Sequence, residues 1–165
     1  MHRILKNLIL SVATLFSMAA LAEPEYVRID MEIDIDVSAE EAWAKVGDYC
    51  GIDEWMGLKC EITSGEGEMG TVRSLLDGRI IEILTAKTDL SYGYTQPAVE
   101  GQFYNLYHGF MEAKPVTDST SKMIYTLMYD VSNLADQAAK DADVAQRRGM
   151  FERALGSIKA YAEAD

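Results

Sequence analysis

Val72-Arg73-Ser74-Leu75-Leu76-Asp77-Gly78-Arg79-Ile80-Ile81-Glu82-Ile83-Leu84 reads as two strands around a two-residue turn. Asp77-Gly78 has the chemistry of a type I′ hairpin, whose two central residues take positive φ. With that turn as the fixed point, Leu76 faces Arg79, Leu75 faces Ile80, Ser74 faces Ile81 and Arg73 faces Glu82. One face of the hairpin then carries Arg73, Leu75, Ile80, Glu82 and Leu84; the other carries Val72, Ser74, Leu76, Arg79, Ile81 and Ile83. Both faces are amphipathic, so two outcomes stay open. Turned outward, Arg73 and Glu82 make a surface cross-strand pair worth less than ~1 kcal/mol. Turned inward, they place an ion pair in an apolar cavity, where removing one partner strands a charge.

The segment from Cys60 to Val131 holds six strand-like runs and no amphipathic helix, which implies an antiparallel sheet. Gly65, Gly67 and Gly70 bracket its first turn, and further turns fall near Asp89-Leu90, Pro97 to Gly101 and Pro115 to Ser121. Upstream, Ile29 to Val37 alternates apolar and acidic residues with period two, a strand whose acids face water. Asp30, Glu32, Asp34 and Asp36 lack the central Gly and terminal Glu of a calcium loop, so no metal is assigned to them. Ser38-Ala39-Glu40-Glu41 is a capping box that opens a helix carrying Ala42, Trp43 and Val46, ending near Gly47. A second short turn runs from Tyr49 to Trp55. From about Asn133 to Ala164, Val144, Phe151, Leu155, Ile158 and Ala162 recur at helical spacing, with loop-like residues before Asp141 as the alternative start. Gly149 and Gly156 in this helix allow close approach to a sheet. Only the sheet is large enough to cover the stripe. The predicted fold is α+β: a curved seven-stranded antiparallel sheet wrapped around one long C-terminal helix, with two short helices after the first strand.

The chain has 165 residues, of which 48% are hydrophobic and 25% charged, with three prolines, which fits one domain. A net charge of −12 repels phosphate backbones and anionic lipid surfaces and excludes nucleic acid as a partner. Arg3 and Lys6 precede an apolar run, Leu8 to Leu21, that ends in Ala20-Leu21-Ala22. This is the pattern of a secretory signal peptide over 1–22, too short to span a bilayer. The mature domain is then 23–165, with no stable membrane span. Loss of two basic residues takes its charge from −12 to −14, and His108 becomes its only histidine. An exported chain with two cysteines pairs them by default, so Cys50 and Cys60 are expected to form a disulfide. No nucleophile elbow, phosphate loop or metal-ligand spacing is present, and no cofactor or catalytic residue is assigned. Tyr92, Tyr94, Tyr104, Tyr107, Tyr125 and Tyr129 crowd the last strand-like runs, a composition that suits either ordinary strands or the wall of a pocket.

Several of these residues together resemble the helix-grip (SRPBCC) superfamily of START domains, Bet v 1 allergens and polyketide cyclase/dehydrase and lipid transport-like proteins. They are Ala42-Trp43, Val46, Tyr49, Trp55, Gly67-x-x-Gly70-Thr71-Val72-Arg73, the Asp77-Gly78 turn, Glu82-x-Leu84, Asp89, Tyr92-x-Tyr94, Tyr107 and Pro115. The resemblance covers most of 27–163. It implies an internal cavity lined by Arg73, Leu75 and Glu82, with Tyr92, Tyr94, Tyr107, Tyr125 and Leu127 turned inward, and Phe151, Leu155 and Lys159 reaching it from the long helix. In the strand Phe103 to Ala113 it selects Tyr107, Gly109 and Met111 as inward and leaves His108 outward. Met56 stands where hormone receptors of the superfamily carry a ligand-anchoring lysine, and the bare Asp77-Gly78 turn replaces their proline-containing gate.

The implied function is an exported, periplasmic or secreted carrier. It holds a hydrophobic small molecule or lipid, with Arg73 and Glu82 as the polar end and Trp55, Met56, Phe151 and Leu155 as apolar walls. Two alternatives stay open: a cyclase- or dehydratase-like enzyme using Glu82 and Arg73, and a periplasmic accessory module with a protein partner, another exported enzyme. If Cys50 and Cys60 pair, the cross-link closes an 11-residue loop, and replacing both by serine is expected to lower the unfolding free energy by about 3 kcal/mol in denaturant titrations.

Overall fold

The computed structural model describes residues 23–98 and 106–164. The expected leader over 1–22 and most of the Pro97–Gly101 turn lie outside them. The chain runs β1 (Tyr26–Ile35), α1 (Ala39–Val46), α2 (Ile52–Met56), β2 (Cys60–Ser64), β3 (Val72–Leu75), β4 (Ile80–Thr88), β5 (Ser91–Thr95), β6 (Tyr107–Thr117), β7 (Thr120–Asp130) and α3 (Gln137–Ala162). All seven strands join one antiparallel sheet in the order β1-β7-β6-β5-β4-β3-β2.

Local rules account for most of these elements. β1 buries Ile29, Met31 and Ile35 and exposes Arg28, Asp30, Glu32 and Asp34, as period two requires. The capping box forms: Glu41 N–H donates to Ser38 Oγ at 3.2 Å, and the Glu41 carboxylate accepts from Ser38 N–H at 3.1 Å. Cys50 and Cys60 are bonded, joining the α1–α2 connection to the start of β2. Irregularities between Ile62 and Ser64, Leu84 and Ala86, and Pro115 and Thr117 bend the strands. Against the concave face α3 lays Ala154, Leu155, Ile158 and Ala162, and the core forms there.

Four expectations are corrected. The β3–β4 turn is wider than two residues: pairing stops at Leu75↔Ile80, and Leu76, Asp77 and Gly78 all take left-handed φ of 53°, 58° and 86°. A left-handed leucine costs about 1–2 kcal/mol. Against that cost, Leu76 packs on the core instead of lying on the outer face, and its N–H donates to the Lys59 carbonyl at 3.1 Å. β6 continues through Pro115 to Thr117, where β5 has already ended at its pairing with Glu112, so the proline stands on a free edge. α3 begins only at Gln137, because Asp130 accepts from Ser132 N–H and Asp136 caps Ala139 N–H, each at 2.8 Å, holding the residues before it in turns. Gly149 and Gly156 make no close approach to the sheet: a Cβ at Gly149 would meet only Arg153 of the same helix, and one at Gly156 would meet open space.

The C-terminus of α3 is clasped to β1. Lys159 Nζ donates to the Asp34 carbonyl at 2.9 Å and pairs with Glu163, whose carboxylate also accepts from Asp36 N–H at 2.6 Å. Burial opposes ionisation of Glu163, yet Lys159 and the Asp36 amide hold its carboxyl below the ordinary carboxylate value. A lowered acid stabilises the fold above its unfolded pKa and loses that contribution as pH falls through the folded one. Unfolding midpoints are therefore expected to drop between about pH 5 and pH 3, and Glu163→Gln to flatten part of that drop. Asp30 and Asp77, lowered by Arg28 and Lys59 respectively, would supply some of the remainder.

Candidate functional site

Alternation along β3 and β4 puts Arg73 and Glu82 on the concave face, opposite each other, with exposures of 2% and 3%. Arg73 Nε donates to Glu82 Oε2 at 2.8 Å, and Arg73 Nη2 lies 2.6 Å from the same oxygen. The second carboxylate oxygen accepts from Gln96 Nε2 at 3.2 Å, and Arg73 Nη1 donates to the Tyr49 carbonyl. The guanidinium lies 4.2 Å from the ring centre of Tyr49, 5.2 Å from that of Tyr94 and 5.7 Å from that of Tyr92. Burial works against the Arg73 charge, but the surrounding phenols and Glu82 outweigh it and hold its pKa above the ordinary value. Every charged group here has hydrogen-bonded company, the condition under which a buried pair is tolerated.

Between this pair and α3 lies a cavity of about 240 Å³. Strand register decides which tyrosines line it. Tyr92, Met111 and Tyr125 form one row across β5, β6 and β7; Tyr94, Gly109 and Leu127 form the next. A Cβ at Gly109 would sit 2.3 Å from Tyr94 Cζ, so the missing side chain is what lets the Tyr94 ring lie across β6. Its hydroxyl thereby reaches that of Tyr125 two strands away. Tyr125 in turn stacks on Phe151 of α3 at 4.6 Å and 21°. Burial raises the pKa of Tyr92, Tyr94 and Tyr125, so all three are neutral hydroxyls at physiological pH.

Of the residues expected at a cavity, Trp55, Met56, Arg73, Leu75, Glu82, Tyr92, Tyr94, Tyr107, Tyr125, Phe151 and Leu155 line this one. Leu127 and Lys159 do not. Leu127 is fully enclosed in the core, in the row over which the Tyr94 ring lies. Lys159 faces β1, where a carbonyl and two carboxylates receive its ammonium at far lower cost than an apolar chamber would. His108 points away, half-buried, with Nδ1 3.3 Å from the Tyr94 carbonyl oxygen. The pattern carried no signal for Gln96, nor for the Tyr49 carbonyl, which depends on how the α1–α2 connection is held. Ile158 was legible from its helical spacing to Leu155; Ala154 was passed over although it falls at helical spacing from Phe151 and Ile158, and Leu76 was not legible, because its inward turn follows from its left-handed φ. Trp55 Nε1 is buried without a partner among the described residues. No group of three metal-ligating side chains gathers among those residues.

The family model described as polyketide cyclase / dehydrase and lipid transport matches residues 26–163. No curated protein matches the chain. Among solved structures, protein XoxI from Bacillus cereus superposes with a TM-score of 0.67 at 21% identity, over 82% of this chain and 96% of that one. Ara h 8.0201 superposes with a TM-score of 0.63 at 17% identity, over 86% and 100%. Zhui aromatase/cyclase from a Streptomyces species gives 0.63 at 16%, over 84% and 94%. These likenesses establish the helix-grip fold.

Removing one member of the buried pair leaves the other charged, buried and without its counter-ion. Arg73→Met and Glu82→Leu are each expected to destabilise by about 3–5 kcal/mol, and the double variant by clearly less than either single change, in chemical denaturation.

Proposed function

We propose, from the premise that this chain belongs to the polyketide cyclase / dehydrase and lipid transport family, that it is a binding protein holding a small, neutral, largely apolar molecule between sheet and α3. The observation that carries this reading is the chamber of about 240 Å³, whose two charged groups neutralise each other. What is left facing an occupant is aromatic and aliphatic surface, the hydroxyls of Tyr94 and Tyr125, and the thioethers of Met56, Met111 and Met150, which adapt to irregular shapes. The volume lies just under the ~300–1,000 Å³ usual for ligand pockets, which favours a compact ring system or short chain over a two-chain lipid. Among the described residues that line the chamber an anionic ligand finds no spare cation: Arg73 is held by Glu82, Lys159 is engaged at β1, and the net charge of −12 repels it.

The carrier works outside the cytoplasm, in the periplasm or secreted. Residues 1–22 read as a cleavable leader, the Cys50–Cys60 disulfide suits an oxidising compartment, and no helix among the described residues is long and apolar enough to cross a membrane. A second reading, an enzyme of the cyclase or dehydratase type, is favoured by one observation: a carboxylate, Glu82, beside neutral phenols in a buried chamber, the groups that general acid–base chemistry employs.

Native mass spectrometry of protein purified from its exported compartment is expected to show an added mass that organic extraction removes. The emptied protein is expected to bind naphthol at least about tenfold more tightly than naphthoate, since the acid must shed its charge or enter unpaired. Ala154→Trp, which fills the chamber, should abolish binding while the fold persists. An empty native protein that takes up neither naphthol nor any member of a neutral metabolite panel overturns the carrier reading. Turnover lost in Glu82→Gln with binding retained decides for the enzyme.

A further inference from the structure

The concave face continues past the ion pair. Beyond Tyr92, which forms a wall of both spaces, a second cavity of about 470 Å³ opens under the C-terminal end of α1. One side of it is aromatic: the Trp43 and Tyr92 rings are 5.6 Å apart at 54°, and those of Tyr49 and Tyr92 are 5.4 Å apart at 81°. A Cβ at Gly47 would fall 2.5 Å from the Trp43 indole, so glycine at that position is what lets the indole settle over the chain as part of this wall. Tyr49 is 6% exposed, and its hydroxyl has no hydrogen-bond partner among the described residues; with Trp55 Nε1 it is one of two buried side-chain polar atoms so placed among them.

The rim is charged, and its sign is negative. Lys87, the ammonium on the rim, is neutralised by Glu68 at 3.0 Å and donates to the Gly67 carbonyl at 2.7 Å. Asp48 and Glu66 are exposed and enter no ion pair among the described residues; the Asp48 carboxylate accepts from the Cys50 amide at 2.8 Å, which leaves its charge in place. On the far side of the aromatic wall Arg73 is already neutralised by Glu82. Aromatic faces joined to uncompensated carboxylates recognise a soft cation, and the charge of the whole chain draws cations toward the opening.

We propose that this second compartment is a binding site for a small organic cation, an ammonium carried on an apolar body, with Trp43, Tyr49 and Tyr92 meeting its surface and Asp48 and Glu66 its charge. The site lies across the shared Tyr92 ring from the inner chamber, and Trp43, Asp48 and Glu66 line it alone.

The sequence supplies its own reporters, because its two tryptophans divide between the compartments: Trp43 lines the outer one and Trp55 the inner one. The test is a titration of the full mature protein followed by the two indole N–H signals in nitrogen-resolved NMR, assigned with Trp43→Phe and Trp55→Phe. The probes are choline and dimethylbutanol, its neutral isostere with carbon in place of nitrogen, at constant ionic strength. Choline is expected to shift the Trp43 signal saturably in the millimolar range and leave Trp55 unmoved, while dimethylbutanol shifts Trp43 far less. Asp48→Asn and Glu66→Gln should each weaken choline by about two- to fivefold, with unchanged circular dichroism. The proposal is overturned by a response at Trp55 alone, by equal responses to the two probes, by no saturable shift of Trp43, or by choline binding that survives both carboxylate substitutions together.

Discussion

A guanidinium and a carboxylate taken out of water cost several kcal/mol each unless their hydration is replaced group by group, and the interior of this protein is arranged around that requirement. Arg73 and Glu82 face each other because β3 and β4 share one register. Their remaining polar atoms then need partners from elsewhere in the chain. Gln96, after β5, supplies a donor to Glu82; Tyr49, between α1 and α2, supplies its carbonyl to Arg73; Tyr49, Tyr92 and Tyr94 supply ring faces. Four separate segments are thus tied to one pair of charges. The Cys50–Cys60 bond sits one residue from Tyr49 and limits how far that carbonyl can move.

The same pair divides the concave face. On the α3 side it leaves an apolar chamber with no net charge; on the α1 side, past Tyr92, it leaves a larger space with an acidic rim. Glycine positions set the shape of both. At Gly109 the missing Cβ lets a tyrosine cross a strand and join β5 to β7, and at Gly47 it lets an indole settle against the main chain. These are close approaches, in which any larger residue would push an aromatic wall into the space it borders.

Charge outside the core serves a different purpose. The acids along β1 keep an edge strand soluble, and those near its end hold Lys159 while Arg148 donates to the Asp30 carbonyl, so α3 covers main-chain groups that an edge would otherwise present to another chain. The lysine that looked available to a ligand is consumed there. A cation on a helix that crosses both an acidic strand and an apolar chamber goes to the strand.

Much of this was legible in the chain itself. Period-two alternation, the capping box at Ser38, the register of the β3–β4 hairpin and the helical stripe through Leu155 depend on neighbours a few residues apart, and such patterns survive any packing. They sufficed for the element order, the sheet and the opposition of Arg73 to Glu82, while the cysteine pair followed from an exported chain having two cysteines. The choice between outward and inward for that pair, the enclosure of Leu127, the route of Lys159 and the left-handed Leu76 were decided only when α3 closed over the sheet. Each of those depends on which surfaces lose water, and burial belongs to the assembled core, where residues as far apart as Tyr49 and Gln96 meet on a single pair of charges.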